Sequence, residues 1–583
     1  MWIYANKSEL NRFPRRGNLV RSKLIEYIPV MMITQLSILL ITSVDGIVAG
    51  NYVGEEALSS ISIFFPVSLV CAAVSVATAS GIGTSISVAM GSGDMNGVNK
   101  VKAASLYIMV IIPILFGIIQ IPVVWVILKS YGLSEEIYRL TWEYAIGCMI
   151  SSPMQIVTNI GTYELQIAGK MRILMILTIV EGGMNVVFDM LFTGFLGFGV
   201  AGVGFGTACT ILIRCALSLI CIYKYTDLFK INKVDLRAKD ILSVVRTGVP
   251  DGAYPLINAV ANYFMVDMIC DSFGDLGGSV IGVCTFCLNA ATVVIFGLQS
   301  AMRPMMGLYA GCDDKQSMRA LILKLSVLNI LFTGAVSVAV ILMPGLFYRI
   351  HGVDEIPSGG LTAVRLYALF FVFKGLETML RQYFTARKDI RFASVLTVLG
   401  YITLPVFAFI LSGCGPAPLI FLSYTATELL ITVISYIRYF WWVNKDKKGN
   451  VDETSLYMTV TPSEAVEASR YIRKTAAELG VEPGLSYRLA ICMEEMVAYA
   501  QESGRRKFPL VNGVYGLDIL IKFMGTHKIL FITLDDGKCI ALDNYEETQQ
   551  IVSSNYGLIK KLAAKVEYQY LLNMNYTWIT LGA

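Results

Sequence analysis

The segment Val44-Asp-Gly-Ile-Val-Ala-Gly50 places an aspartate, Asp45, near the end of an otherwise apolar run, Tyr27–Val53. A second apolar run, Ile173–Asp189, also ends in an aspartate, and Asn185 lies one helical turn before that end. A carboxylate in the hydrocarbon region of a bilayer costs about 2.5–3.5 kcal/mol. Because that cost is high, we expect acidic residues on membrane-spanning helices to have a function.

The chain has the composition of a membrane protein. Of its 583 residues, 55% are hydrophobic and 15% are charged, whereas a soluble protein carries about a quarter charged residues. A helix needs roughly 20 apolar residues to cross a bilayer, and about twelve such stretches precede residue 445. The expected spans are residues 24–50, 58–88, 102–129, 141–168, 172–194, 199–223, 247–271, 278–304, 318–346, 360–385, 391–413 and 416–442. The sequence therefore predicts a polytopic α-helical membrane protein.

Basic residues collect in alternate loops, and this pattern predicts the orientation of the chain. One set of loops holds the N-terminus, Lys100, Lys102, the Lys224–Lys239 loop and Arg387–Arg391, while the other set is mostly acidic. Loops rich in Lys and Arg stay in the cytoplasm. We expect a multi-pass protein of the cell membrane with both termini cytoplasmic. Residues 1–23 should form a basic cytoplasmic segment rather than a cleaved signal peptide.

The two halves of the membrane region share an order of landmarks. A proline, an aspartate, a glycine and a final aspartate follow one another in each half: Pro29, Asp45, Gly54 and Asp94, then Pro250, Asp267, Gly274 and Asp314. Transporters built of two like lobes show such internal repeats. We predict two six-helix lobes, an N-lobe at 24–223 and a C-lobe at 247–445, joined by a cytoplasmic linker at 224–246.

The composition changes after Trp442, and the remaining chain predicts a cytoplasmic α+β domain at 455–583. Helices are expected at Pro462–Leu479, Pro483–Glu502 and Tyr556–Lys565, and strands at Asp518–Met524, Lys528–Leu534 and Tyr576–Leu581. We call this part of the chain the tail.

Four polar residues of the N-lobe form a candidate cation-binding or coupling site: Asp45, Asn185, Asp189 and Thr207. Asn185 and Asp189 are four residues apart and share one helix face, and Thr207 is expected in the middle of the next span. Carboxylates with an amide and a hydroxyl suit a proton or Na⁺, which favour oxygen ligands. In the alternative interpretation, Asp45 and Asp189 lie at the outer membrane interface and only cap helices. Glu181, deeper in the same span as Asp189, has no partner that the sequence identifies.

The membrane region, over roughly residues 20–442, resembles the multidrug and toxic compound extrusion (MATE) transporters. Four motifs carry the resemblance: Val44–Gly50 with Gly54, Gly81-Ile-Gly-Thr-Ser85 leading to Gly91-Ser-Gly-Asp94, Asn185-Val-Val-Phe-Asp189 followed by Gly199-Val-Ala-Gly-Val203, and Arg303-Pro-Met-Met-Gly307. The resemblance implies two six-helix bundles that face a central cleft and alternate access. It also implies that Asp45, Asn185, Asp189 and Thr207 form the cation site of the N-lobe.

The C-lobe departs from the family pattern, because its eleventh span lacks the Asn/Asp pair. Asp267, Asp271 and Arg303 are candidates for the substrate cleft, and the two aspartates are equally compatible with the membrane interface. Arg303 stands where the family usually has a neutral polar residue, and a positive charge in the cleft would disfavour a cationic substrate. Glu377 and Arg381 are predicted to form an i,i+4 ion pair.

The tail resembles the anti-sigma-factor serine kinases of the GHKL ATPase superfamily. The resemblance implies a degenerate nucleotide-binding site, with the residues Glu494, Glu495, Asp535, Asp536, Gly537 and Gly557. Tyr499 stands where active members have an asparagine that holds Mg²⁺, and Mg²⁺ requires tight octahedral oxygen geometry. We therefore expect ATPase or kinase activity to be lost. The domain would sense nucleotide or bind a cytoplasmic regulatory protein, unless its acidic residues are only surface charges.

The sequence predicts a secondary active efflux antiporter that couples entry of H⁺ or Na⁺ to export of small organic, drug-like substrates. The alternatives are a flippase or exporter of lipid-linked or anionic cargo, and a membrane-tethered signalling ATPase or kinase that uses ATP and Mg²⁺. We expect no catalytic residues and no metal or required cofactor in the transporter. The expected partners are the lipid bilayer and a small-molecule substrate but no nucleic acid, and the chain is expected to be a monomer.

Overall fold

The computed structural model describes residues 18–130, 133–230, 235–274, 277–350, 356–448, 453–502, 516–537 and 555–582. Most of the predicted basic segment 1–23 lies outside the described residues.

Helices build the membrane region, most of them long and a few of them short. They are α1 (Asn18–Tyr52), α2 (Glu55–Gly91), α3 (Met95–Ser130), α4 (Glu135–Ile167), α5 (Met171–Asp189), α6 (Val200–Tyr225), α7 (Ala238–Phe273), α8 (Gly277–Gly311), α9 (Lys315–Leu342), α10 (Pro344–Ile350), α11 (Gly360–Ala368), α12 (Phe370–Ala386), α13 (Ile390–Ser412) and α14 (Leu422–Lys448).

Within the described residues, nine helices are long and apolar enough to cross a membrane. The predicted spans at 141–168, 247–271 and 360–385 also form helices, namely α4, α7 and the shorter α11 and α12, but these are not among the nine. Helix α12 carries polar side chains that pair inside the bundle, as Arg381 does. A helix can be buried among other helices without being apolar all round.

Several helix boundaries differ from the predicted ones, and two of them matter for the contacts described below. Helix α7 begins at Ala238, inside the predicted linker 224–246, so the connection between the lobes is shorter than expected. Helix α5 ends at Asp189 and continues as a π-helical turn, Met190–Phe195. Single π-helical turns are frequent at functional sites because they redirect side chains locally.

Close packing of α2 against α7 joins the two halves of the membrane region. Gly248 of α7 lies so near α2 that a Cβ atom on it would be 1.8 Å from the carbonyl oxygen of Ala77. The reciprocal position is Gly81, where a Cβ atom would be 2.4 Å from the carbonyl oxygen of Val244. The helices therefore meet backbone to backbone, as small residues permit in membrane proteins. We call the end of the bundle that carries Gly91 and Gly311 the basic end.

The tail is one antiparallel sheet with helices on one face. It consists of β1 (Glu453–Val460), α15 (Ala465–Glu478), α16 (Pro483–Glu502), β2 (Leu517–Met524), β3 (Lys528–Asp535), α17 (Asn555–Leu562), β4 (Lys565–Leu571) and β5 (Met574–Gly582), with strand order β1-β2-β3-β5-β4. The expected α+β tail is thus present, although the sequence prediction missed β1 and β4. Strand β4 begins at Lys565, which was expected to end a helix.

Both faces of the tail sheet are covered. Ile519, Phe531 and Ile579 belong to the core that packs against α15, α16 and α17. Their neighbours Ile532 and Trp578 point to the other face and join the core formed with the basic end of the membrane helices. Successive strand residues point to opposite faces, so β2, β3 and β5 carry apolar residues on both faces of the sheet.

Candidate ion-binding site and interlobe contacts

Two acidic residues and an amide meet inside the N-lobe. Asn185 Nδ2 on α5 donates to Asp45 Oδ1 on α1 at 3.1 Å and to Asp189 Oδ2 at 2.6 Å. Asn185 is 1% exposed and Asp189 is fully buried, while Asp45 is half-buried. The structure therefore joins three of the four predicted site residues by hydrogen bonds and does not support the interpretation that Asp45 and Asp189 only cap helices.

The local backbone positions the Asp189 carboxylate. Asp189 is the last α-helical residue before the π-helical turn, so the backbone changes from α-helical to π-helical geometry at the residue that carries the carboxylate. Gly206 on α6 leaves room for the carboxylate, since a Cβ atom there would lie 2.2 Å from Asp189 Oδ1. A residue larger than glycine at this position would displace Asp189.

Several polar atoms at this site have no partner. Asp189 Oδ1 and Thr207 Oγ1 are buried without a hydrogen bond in the described structure, and so is Thr193 Oγ1 in the π-helical turn. Thr207 lies about two turns into α6, closer to the helix start than the predicted mid-span position. Buried polar atoms without partners are costly, so the set is ready to accept a proton or a small cation.

A second buried pair lies deeper in the N-lobe. Arg214 Nε on α6 contacts Glu181 Oε2 on α5 at 3.1 Å, and Arg214 also donates to Ser218. Arg214 is 2% exposed. Arg214 was not among the predicted site residues, although an arginine in an apolar span is a signal of a functional or paired group. Glu181 therefore has a fixed cationic partner, unlike Asp45 and Asp189.

Asp251 on α7 links the two lobes. Its Oδ2 accepts from Ser80 Oγ on α2 at 2.5 Å and from Arg303 Nη2 on α8 at 3.0 Å. Its Oδ1 accepts from Arg381 Nη1 on α12 at 2.7 Å. Asp251 was not among the predicted site residues.

Arg303 is buried in this structure, 4% exposed. Besides Asp251 it contacts Gln382 Oε1 at 3.1 Å, and its guanidinium lies 4.8 Å from the ring of Tyr163 on α4 in the N-lobe. Asp267 and Asp271 are exposed on α7. Asp267 is 16 residues beyond Asp251, about 24 Å along a helix. The three predicted cleft residues are therefore not brought together.

The predicted ion pair of Glu377 and Arg381 is confirmed at 3.1 Å. It belongs to a larger cluster, because Lys374 contacts Glu377 at 3.5 Å and Glu428 at 3.0 Å. These side chains line a cavity of about 30 Å³ with Tyr254. Glu428 Oε2 has no hydrogen-bond partner among the described residues. With Asp251 and Arg303, the cluster holds three acidic and three basic side chains and is neutral overall.

The residues of the predicted nucleotide site are partly occupied by internal contacts. Glu494 accepts from Ser469. Asp535 Oδ1 accepts from the Gly537 N–H at 2.8 Å and from Asn575 Nδ2 at 2.7 Å. Glu495 and Asp536 are half-buried, and Gly557 lies on α17. The flanking segments 503–515 and 538–554 lie outside the described residues, so nucleotide binding stays a prediction.

The β4–β5 hairpin anchors the tail to the N-lobe. Asn573 Nδ2 donates to Glu26 Oε1 at 2.6 Å and to the Gly169 carbonyl at 3.0 Å. The Leu572 N–H donates to the Ile167 carbonyl at 3.0 Å. Leu572 and Asn573 have φ angles of 55° and 56°, as a two-residue hairpin loop of this kind requires.

One ion pair connects the tail to the C-lobe. Lys522 Nζ on β2 lies 3.3 Å from Asp313 Oδ2 in the turn between α8 and α9. The tail thus lies across the basic end, with its main contact on the N-lobe and a lateral contact on the C-lobe.

Comparison with known proteins agrees with this two-lobe architecture. A model of the MatE family matches residues 30–191 and 256–410, one segment in each lobe. The chain is similar to a protein named FAD transporter from Shewanella oneidensis, 21% identical over 293 residues that cover 48% of this chain and 64% of the relative. It is also similar to a probable multidrug resistance protein NorM from Listeria monocytogenes, 25% identical over 256 residues that cover 42% and 55%. The matches span between about half and two thirds of these relatives.

Solved structures show the same fold. The outward-facing conformation of a multidrug resistance MATE family transporter matches with a TM-score of 0.69 at 20% identity, covering 74% of this chain and 97% of that one. A second match is a MOP superfamily transporter from Pyrococcus furiosus, for which a reverse polarity of the binding pocket is described. Its TM-score is 0.67 at 20% identity, and the match covers 75% of this chain and 100% of that one.

Proposed function

Because the chain belongs to the MatE family, we propose that it is a secondary active exporter driven by ion entry at the carboxylate pair of the N-lobe. The observation that carries this proposal is the contact of one amide, that of Asn185, with the carboxylates of both Asp45 and Asp189. Two carboxylates so close together bind a positive charge more readily than either would alone. Binding and release of that charge would then be coupled to substrate movement.

The donor arrangement favours a proton over Na⁺ as the coupling ion. Asn185 directs its amide N–H groups toward both carboxylates, so the amide contributes donors rather than an oxygen ligand. A Na⁺ ion would need additional oxygen ligands, for which Asp189 Oδ1 and Thr207 Oγ1 are available. We therefore propose H⁺ first and Na⁺ as the alternative.

The transport step would follow from the packing of the lobes. The contacts of Gly248 and Asp251 with α2 would close the path between the lobes toward the basic end, which we propose to be cytoplasmic because Lys and Arg collect there. In this conformation substrate leaves on the outer side while the ion enters. Opening of the cytoplasmic end would require both contacts to separate.

We propose small organic, drug-like molecules as substrates. Anionic cargo is the second candidate, because one relative is named FAD transporter. If Arg303, the arginine predicted for the cleft, recognised that cargo, its charge should be unpaired, but Arg303 is buried and paired with Asp251. The paired arginine favours the first candidate.

The tail is proposed to stabilise the conformation that is closed at the basic end, rather than to hydrolyse nucleotide. Asn573 fixes the tail to the N-lobe, and Lys522 reaches Asp313 of the C-lobe. The pair is partly exposed, 13% at Lys522 and 42% at Asp313, and ion pairs near the surface contribute about 0–1 kcal/mol. This latch would therefore be weak enough to open in each cycle. A cytoplasmic regulatory protein that competes for Lys522 would release it.

Transport by proteoliposomes tests the proposal. Ethidium serves as the organic cation and FAD as the anionic probe, under an imposed pH gradient or an imposed Na⁺ gradient. We expect the pH gradient to drive ethidium against its concentration gradient in the wild-type protein. Ethidium movement driven by the Na⁺ gradient would identify Na⁺ as the coupling ion, and movement of FAD would identify anionic cargo. No movement under either gradient would contradict the proposal that the protein is an exporter.

The latch is tested separately by the distance between nitroxide labels at Asn96 and Gln316, exposed residues at the basic ends of the two lobes. Lys522→Ala should increase the fraction of molecules with a long distance by up to about fivefold. Lys528→Ala removes an exposed lysine elsewhere on the sheet and serves as the control. Equal distributions in both variants would show that the tail does not link the lobes.

A further inference from the structure

A cavity of about 840 Å³ opens between the two lobes at the basic end. Helices α2 and α3 of the N-lobe line one side, while α7, α8 and the turn between α12 and α13 line the other. Its volume lies in the range of small-molecule binding sites. Neither the carboxylates of the N-lobe nor the tail hairpin belongs to its lining.

The acidic residues that line the cavity are already engaged. Asp94 accepts from the Asn96 N–H at 3.1 Å, and Asp240 accepts from the Arg237 N–H at 3.0 Å. Asp313 pairs with basic side chains, as described above. Asp389 accepts two hydrogen bonds from Arg438, at 3.1 and 2.8 Å.

The basic residues of the lining differ, because only Arg387 has a carboxylate partner in the described structure. Arg387 donates to Asp446 from Nη1 at 2.8 Å and from Nη2 at 2.9 Å. Lys100, Arg246, Lys388 and Arg391 also line the cavity, and none of them has an ion pair among the described residues. Four basic side chains from both lobes therefore line one concave space without an ion-pair partner, whereas only two of the lining carboxylates, Asp94 and Asp240, lack a basic partner. The lining thus carries an excess of about two positive charges.

From this charge distribution we infer that the cavity is a binding site for a phosphate-bearing polyanion, which would bridge the two lobes at the basic end. Lys388 and Arg391 come from the C-lobe turn and α13, and Lys100 comes from α3 of the N-lobe. Arginine and lysine side chains from several directions are the usual recognition elements for phosphate groups. Ser85, Ser243 and Thr385 add hydroxyl groups to the same lining.

The bound anion has a structural consequence. Since Lys100 and Arg391 belong to different lobes, a ligand that contacts both favours the conformation in which the basic ends are together. The inference concerns a ligand of the closed cytoplasmic mouth and does not depend on the coupling ion or on the exported substrate.

The test uses the full chain in lipid nanodiscs and two probes. Pyrophosphate without Mg²⁺, titrated into nanodiscs of phosphatidylcholine, represents a soluble phosphate ligand. Nanodiscs of equal parts phosphatidylcholine and phosphatidylglycerol represent a lipid headgroup, and the midpoint of thermal unfolding reports its effect. The double variant Arg246→Gln/Arg391→Gln removes two exposed charges of the cavity. Arg172→Gln removes an exposed charge at the same end of the bundle, outside the lining, and is the control.

Saturable pyrophosphate binding that is weakened at least about tenfold in the double variant and unchanged in Arg172→Gln would identify a soluble phosphate ligand. Thermal stabilisation by phosphatidylglycerol alone, lost in the double variant only, would identify a lipid headgroup. If neither pyrophosphate binding nor stabilisation by phosphatidylglycerol is observed, or if Arg172→Gln loses the effect as much as the double variant does, the proposed binding site is wrong. If the double variant does not fold, Lys100→Gln/Arg391→Gln replaces it in the same comparison.

Discussion

Ser80 on α2 donates a hydrogen bond to Asp251 Oδ2 on α7 at 2.5 Å, and this bond joins the N-lobe to the C-lobe. Asp251 also holds Arg303 and Arg381, so one carboxylate connects the interlobe contact with the buried cluster of the C-lobe. Separation of the lobes would break the bond from Ser80 while leaving both arginine contacts intact.

Ser80→Ala is therefore expected to favour the conformation that is open at the basic end. Loss of a hydrogen bond to a charged group is worth about 1.5–3 kcal/mol, which sets an upper limit of roughly a hundredfold on the shift. The distance between labels at Asn96 and Gln316 measures it. Ser105→Ala, which removes a hydroxyl bonded within α3, should leave the distances unchanged. If both variants behave alike, Ser80 does not hold the lobes together.

Gly248→Ala should prevent the lobes from closing. The added Cβ atom would lie 1.8 Å from the Ala77 carbonyl oxygen, a distance that requires the helix backbones to move apart. We expect at least about tenfold slower transport with normal membrane insertion. Gly334→Ala on α9 is the matched control, because nothing lies within 4 Å of its Cβ position. Normal transport by Gly248→Ala would mean that close helix contact is not needed.

Glu181 and Arg214 are expected to act as a structural pair. Glu181→Leu leaves the Arg214 guanidinium buried without its carboxylate, at a cost of about 3–5 kcal/mol in unfolding free energy. The double variant Glu181→Leu/Arg214→Leu should recover most of this loss. Thermal unfolding in detergent measures both. A double variant as unstable as the single one would show that Arg214 has other essential contacts.

Cys492 reports on the folding of the tail. The thiol is fully buried on α16, and burial together with the nearby Glu495 raises its pKa to about 12. The raised pKa keeps the thiol protonated at pH 8, where only a thiolate reacts. Iodoacetamide should therefore label the exposed Cys414 in the native protein, and it should label Cys492 only after urea has unfolded the tail. Peptide mass spectrometry measures the labelling of each cysteine. Immediate labelling of Cys492 would show that this core opens readily.

Local sequence patterns were enough to predict part of the candidate site. Asn185 and Asp189 had to share a helix face because they are four residues apart. The approach of Asp45 from another helix was a hypothesis that the family resemblance also implied, since spacing along the chain does not fix contacts between helices.

Other features depend on tertiary packing and could not be derived from the sequence. Asp251 and Arg214 are visible as charges in helical segments, but their partners Ser80 and Glu181 lie on other helices. The apolar runs of β2, β3 and β5 indicate a sheet buried on both faces. They do not reveal that the membrane helices cover one of those faces.

The central claim is that the pair formed by Asp45 and Asp189 carries the coupling ion, and uphill transport by Asp189→Asn tests it most directly. Two rates are compared in proteoliposomes: ethidium accumulation driven by a pH gradient, and downhill ethidium equilibration without one. The control is Asp227→Asn, which changes an exposed aspartate in the loop after α6. We predict that Asp189→Asn loses accumulation but keeps equilibration, while Asp227→Asn keeps both. Accumulation by Asp189→Asn at the wild-type rate would contradict the account.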